Sequence, residues 1–151
     1  MSLSSPLPGV SNEAWATFVR LLETQDVRSK SASGGFGAYD MRPKRLAELG
    51  IVRLTGLGRN HANRQHYECE FIAPWNREKF LSDPRLQYRV LVMSMERYAE
   101  DIRVGKVTKP ADISLSGALA ILHRGMTGAL KSYPNLFSDT RRLLSEAQGV
   151  F

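Results

Sequence analysis

Apolar residues at 15, 18, 19 and 22 repeat at the spacing of one helix face, and Ser11-Asn12-Glu13 just before them offers a cap. The pattern then lapses. Residues 26–40 carry Ser, Gly and charge without apolar periodicity and read as a loop, after which Pro43 suits the first turn of a short helix, Lys44 to Leu49, stopped by Gly50. Ile51-Val-Arg-Leu-Thr55 and Gln65-His-Tyr-Glu-Cys-Glu-Phe-Ile72 have strand composition, and the turn-rich Gly56 to Asn63 between them predicts a hairpin as the only sheet. Pro74 to Leu81 predicts a short helix. Leu86, Val90, Met93 and Arg97 predict a longer one from Pro84 to Ile102, broken by Gly105 to Pro110. From Ile113 the run Leu115-Ser-Gly-Ala-Leu-Ala-Ile-Leu122 is apolar on nearly all sides, as a central buried helix should be, and Leu136 to Gln148 is amphipathic. The expected class is mainly α (α+β), with a flexible Pro/Ser-containing arm over 1–10 and one domain over 11–151.

Length and composition change this picture little. A chain of 151 residues suits one domain with a sizeable core, and 42% hydrophobic with 24% charged residues is ordinary for a globular protein. One cysteine, Cys69, excludes an intramolecular disulfide and a cysteine-based metal site. Met1 to Gly9 lacks the basic start and apolar run of a secretory signal, and no stretch approaches the ~20 apolar residues of a membrane span. The net charge of +6 favours anionic partners: nucleic acid, anionic lipid or a bacterial wall with its peptide carboxylates. No Lys/Arg block of five or more occurs, so a nucleic-acid partner would rest on charge alone.

The order of parts around Glu23 carries the chemistry. A carboxyl group ending a helix, followed by Ser31-Ala-Ser-Gly-Gly-Phe-Gly-Ala-Tyr-Asp-Met-Arg-Pro43 and a helix ending Glu48-Leu49-Gly50, resembles the lysozyme-like superfamily, above all its soluble lytic transglycosylase and phage tail lysozyme branches. Those proteins show a catalytic glutamate, then Ser-x-x-Gly-Ala-x-Gly-Leu-Met-Gln, a proline three residues on, and a short helix often ending Glu-Leu-Gly. Ser31 to Gly37 matches the turn and Ala38-Tyr39-Asp40 falls on Leu-Met-Gln. Downstream, Ala118-Leu-Ala-Ile-Leu-His-Arg-Gly125 is similar to the family's Ala-Leu-Ala-Ala-Tyr-Asn-Ala-Gly helix, with His123 at the asparagine and Gly128 after it. The two segments cover about a third of the chain. The departures are Thr24 for the usual serine after the glutamate, a loop to Ser31 one residue short, Asp40 for glutamine and His123 for asparagine.

The resemblance implies a lysozyme-like helical domain with a small β-hairpin, and a peptidoglycan glycan strand as substrate. Cleaving a glycosidic bond needs a proton delivered to the leaving oxygen, which a covered carboxyl group with a raised pKa can supply. Glu23 is the candidate. A second carboxylate would activate water or form a covalent intermediate, and Asp40, with Asp26 behind it, is the nearest in sequence. In the transglycosylase branch one glutamate serves as acid and then base, so Asp40 is equally a turn aspartate capping the helix at Pro43. Ser31, Gly37, Tyr39 and His123 are expected to contact substrate, with Tyr39 favoured over Tyr67, Trp75 and Tyr88 for stacking on sugar rings. Alternation sets His66, Glu68 and Glu70 on one strand face and Cys69 on the other, so neither metal nor cofactor is expected, with His61 alone beyond them. The expected setting is a phage or phage-like particle whose tail carries the enzyme to the wall, made in a bacterial cytoplasm, with tail or baseplate proteins as partners. The alternative is a catalytically inactive protein of that fold, structural or wall-binding.

Overall fold

The Trp15, Phe18, Val19, Leu22 stripe forms the buried face of α1 (Asn12–Leu22), and the Ser11 hydroxyl caps it by accepting from the Ala14 N–H at 3.1 Å. A computed structural model describes residues 3–31, 34–59 and 65–151. About half of the chain is helical and one two-stranded antiparallel sheet is present among the described residues, an α+β composition. After α1 come α2 (Pro43–Glu48), β1 (Val52–Arg59), β2 (Gln65–Phe71), α3 (Arg77–Ser82), α4 (Pro84–Arg103), α5 (Leu115–Ser132) and α6 (Ser138–Ala147). Among the described residues no helix is long and apolar enough to cross a membrane. The chain groups into two compact units, Met1–Leu22 with Met95–Phe151, and Glu23–Ser94.

In the first unit α5 is buried over an unbroken run from Ser116 to His123, as its apolar sequence predicts. Ser114 caps it, accepting from the Gly117 N–H at 3.1 Å. A Cβ on Gly117 would lie 2.4 Å from the Gln148 side chain and 3.0 Å from that of Leu144, so a glycine lets the end of the chain approach α5. Ser116 ties the same end, its hydroxyl donating to the Ala147 carbonyl at 2.6 Å. Phe18 packs edge-on against Phe151 at 5.2 Å. Leu7, in the segment expected as an arm, is buried, and the Ser5 N–H donates to Asn12 Oδ1 at 2.8 Å. α5 is two helical pieces joined at Met126, which has φ 59° and ψ −164°.

In the second unit Pro43 opens α2 at a position where its missing N–H costs nothing, and Gly50 ends it with φ +80°. The hairpin pairs Val52 with Phe71 and Leu57 with Tyr67, with a bulge between Leu54 and Gly56. β1 runs on through Gly56 to Arg59, beyond the Thr55 end the sequence predicts. Gly58 is there to make room rather than to turn: a Cβ on it would meet Glu68 Oε1 at 2.6 Å and His66 Nε2 at 3.0 Å from the opposite strand. The remaining part of the expected turn, 60–63, lies outside the described residues. α3 starts at Arg77 rather than Pro74, because Asn76 supplies the cap by accepting from the Lys79 N–H at 3.0 Å. The core of this unit joins Phe36, Phe71 and Phe80 at ring distances of 5.4 and 5.5 Å, with Leu46 and Ile51 also buried.

Candidate functional site

Glu23 is the first residue past α1 and is exposed. The backbone that follows it is pinned: the Thr24 and Gln25 N–H groups both donate to the Ala38 carbonyl, at 2.9 and 3.2 Å, and Gln25 Nε2 donates to the Gly37 carbonyl at 3.1 Å. Residues 37–40 form a tight turn closed by the Asp40 N–H on the Gly37 carbonyl at 3.1 Å. Phe36 and Met41 flank it as a doubly hydrogen-bonded antiparallel pair, at 2.9 and 3.0 Å. Gly37 with φ +77° and Asp40 with φ +51° supply the left-handed backbone this turn needs. The local fold thus fixes the main chain at Thr24 while leaving the Glu23 carboxylate to solvent.

The residue that holds this turn is one the sequence pattern missed. Gln87, 1% exposed, accepts from the Ala38 N–H at 2.9 Å and donates through Nε2 to the carbonyls of Val27 and Phe80, each at 2.8 Å. Both donors and the acceptor of the amide are used, as burial requires. A Cβ on Gly37 would lie 2.4 Å from Gln87 Oε1, so the glycine belongs to the scaffold of the turn, where it is itself buried. The buried positions of α4 are 87, 90, 91, 94, 95 and 98, not the 86, 90, 93, 97 stripe expected. Two of them are polar and bonded, Gln87 as above and Ser94, whose hydroxyl and carbonyl accept from the Arg45 guanidinium at 2.8 and 2.9 Å. A polar residue repeating at i and i+7 among apolar positions was the available signal.

Tyr39 lies in the same turn and is buried, so its ring is not the open platform for sugar stacking that the sequence suggested. Burial, and then the nearby Glu23 carboxylate and Tyr88 phenol, push its pKa up to about 12. A neutral phenol therefore stands within electrostatic reach of Glu23 across the neutral range. Of the other aromatic candidates, Tyr67 is exposed with the Lys44 ammonium 6.0 Å from its ring centre, while Trp75 and Tyr88 are half-buried.

Asp40 is 6% exposed and engaged. It accepts from the Ser31 hydroxyl at 2.7 Å and lies 3.5 Å from the Arg42 guanidinium, while Ser31 Oγ also accepts from the Gly35 N–H at 3.0 Å. Any Cβ on Gly35 would fall 1.7 Å from Asp40 Oδ1, so the carboxylate occupies the space the glycine leaves. It does not cap α2, whose N-cap is Arg42 with no side-chain capping bond. Glu23, Ser31, Gly37, Tyr39 and Asp40 all fall in the unit Glu23–Ser94, whereas His123 is a buried residue of α5 in the other unit. Asp26 is exposed, its carbonyl accepting from the Ser29 N–H at 3.0 Å.

Among the described residues no group of three His, Cys, Asp or Glu side chains is placed to hold a metal ion. His66 Nε2 is 2.9 Å from Glu68 Oε1, Cys69 has its thiol pKa pushed up by burial, and His61 lies outside the described residues. A concavity of about 420 Å³ in the same unit is lined by Arg28, Asn76, Arg77, Glu78 and Leu81, without Glu23. Comparison of the chain with protein-family models, curated proteins and solved structures gave no match.

Proposed function

We propose that the chain is a lysozyme-like domain that cleaves the β-1,4 bond between N-acetylmuramic acid and N-acetylglucosamine in peptidoglycan, with Glu23 as the acid. The observation that supports the reading is the pinning of the main chain just after Glu23: the Ala38 carbonyl accepts from both the Thr24 and Gln25 N–H groups, and Tyr39, in the glycine turn whose sequence carries the family resemblance, feels the Glu23 carboxylate. The exposed carboxylate gains the cover a general acid needs from a bound glycan, which displaces water from it. The neutral Tyr39 phenol adds no competing charge. Because Asp40 is occupied by Ser31 and Arg42, the reading favours the single-glutamate route, in which Glu23 protonates the leaving oxygen and then takes the proton of the sugar hydroxyl that attacks. The resemblance also carries the setting: a phage or phage-like tail that brings the enzyme to the wall.

Purified protein mixed with peptidoglycan should release muropeptides with anhydro ends, and Glu23→Gln should not; equal release by the two proteins, or none by the wild type, sinks the catalytic claim. A second reading keeps the fold and drops the catalysis, making the chain a wall-binding or structural part of a tail. The engaged Asp40 at the family's groove position favours it. Sedimentation with intact peptidoglycan without any release would decide for it.

A further inference from the structure

A second concavity, of about 520 Å³, lies wholly within the unit made of Met1–Leu22 and Met95–Phe151 and has no part in the chemistry above. We propose that it is a binding pocket for a short acidic peptide with small apolar side chains. Taking that peptide to be the stem of a wall glycan rests on the proposed peptidoglycan reading; the pocket's chemistry does not.

Its walls come from two segments made irregular by their backbone. Gly105, with φ +81°, follows the end of α4, and the loop then folds back so that the Val107 N–H donates to the Asp101 carbonyl at 3.1 Å. Opposite is the second piece of α5, beyond the break at Met126, where Thr127, Leu130 and Lys131 share one face by their i, i+3, i+4 spacing. Among the described residues the pocket is lined by two lysines, Lys106 and Lys131, and by no acidic side chain.

Three nearby charged side chains, Lys109, Asp112 and Glu100, are engaged elsewhere. The Lys109 ammonium donates to the carbonyls of Pro110 and Ile113, so this lysine serves the loop. Asp112 accepts from the Tyr133 hydroxyl at 2.8 Å, and Glu100, the carboxylate that feels Lys106, is held by Arg103 Nε at 2.7 Å. Lys106 and Lys131 offer two ammonium groups for carboxylates, Thr108 and Thr127 offer hydroxyls for peptide N–H and C=O groups, and the half-buried Val107 and Pro110 offer apolar surface for methyl-sized side chains. The volume falls in the range of small-ligand sites, about 300–1,000 Å³. A bare phosphate would use the lysines and leave the apolar wall empty; an alanine-rich acidic peptide uses both.

The test is an NMR titration of the full chain with N-acetylated Ala-isoGlu-Ala carrying free carboxylates, with the same peptide fully amidated, and with inorganic phosphate. The expected result is saturable binding of the acidic peptide, with shifts at Thr108, Thr127 and Leu130. Binding should weaken at least about tenfold in Lys106→Glu/Lys131→Glu and weaken on raising salt. Should the double reversal not fold, Lys106→Gln/Lys131→Gln serves in its place. No binding, equal binding of the amidated peptide, equal binding of phosphate, or binding unchanged in both double variants would overturn the proposal. Its failure is separable from that of the glycosidase reading: muropeptide release without peptide binding removes the pocket alone, and peptide binding without release removes the glycosidase alone.

Discussion

The turn at residues 37–40 and the helix α5 are held by different physics. α5 is fixed by volume: from Ser116 to His123 every residue is buried, and the load is spread over several aliphatic side chains. The turn is fixed by direction. Two N–H groups meet the Ala38 carbonyl, and one amide side chain meets the Ala38 N–H. A volume-fixed element tolerates any filler of the right size, whereas a direction-fixed one tolerates few changes at its bonded groups. A catalytic carboxylate needs the second kind of support, because positioning errors of about 1 Å cost rate before they cost stability.

The sharpest way to separate holding from acting is Glu23→Gln. The side chain is exposed, so the fold should survive with its denaturation midpoint unchanged, while glycan cleavage should fall by at least about 10²–10⁴-fold, the range general acid–base catalysis contributes. Muropeptide release assayed beside circular dichroism reads both.

The next effect sets chemistry against volume directly. Gln87→Leu keeps the bulk but strands the Ala38 N–H and the Phe80 carbonyl, both buried, besides the part-buried Val27 carbonyl; at about 1–3 kcal/mol for each buried group the loss is about 2 kcal/mol or more. In α5 the volume-conserving Leu119→Met should cost less than about 1.5 kcal/mol, although Leu119→Ala should cost about 2–5 kcal/mol. Urea denaturation gives the stabilities, and amide exchange should show early opening at Ala38 in Gln87→Leu. Equal tolerance of the like-sized replacements at 87 and 119 would mean that volume alone fixes both positions.

What the sequence disclosed follows the same division. Features fixed by volume or by local backbone preference were legible: the 15, 18, 19, 22 face of α1, the all-round apolar α5, and the Pro43 and Gly50 ends of α2 are local patterns with a single physical meaning. Direction-fixed features were not. Gln87 bonds to Ala38 across 49 residues, and no local rule joins a helix glutamine to a distant turn. Gly56 and Gly58 read as turn residues, yet they belong to β1, with Gly58 clearing space for His66 and Glu68. Asp40 was legible as a turn residue, but its bond to Ser31 and its left-handed backbone depend on the finished loop. Within the candidate site the sequence identified the residues of the turn and misjudged what several of them do: Tyr39 is covered, and Gly37 serves the Gln87 contact.

A smaller effect tests the burial of Tyr39. Its folded pKa is about 12 against 10.0 for the free phenol, so ionisation penalises the folded state. Its contribution to stability is whole below about pH 10 and is lost as pH rises toward and through about 12. Denaturation midpoints followed up this range should fall less steeply in Tyr39→Phe than in the wild type. Parallel slopes would mean that the phenol titrates as if in water.

The smallest expected effect is that of Asp40→Asn, and it decides how many carboxylates the site uses. Asparagine keeps an oxygen for the Ser31 hydroxyl, fits the same space over Gly35, and tolerates the φ of +51°, so the turn should hold. What is lost is the charge facing the Arg42 guanidinium at 3.5 Å, a residue with partial access to water. The stability change should stay small, since asparagine keeps the hydrogen bond, the cost of burying the Asp40 charge disappears together with the attraction of a long ion pair, and the partly exposed Arg42 can turn to water. If Glu23 works alone, cleavage by Asp40→Asn should drop less than about tenfold and the anhydro products should persist. A two-carboxylate hydrolase would instead lose about as much as Glu23→Gln, within the same ~10²–10⁴-fold range, and its wild type would yield reducing ends. The buried, bonded state of Asp40 favours the mild outcome, because a carboxylate already accepting from Ser31 and facing Arg42 has little freedom to turn toward a water or a sugar carbon.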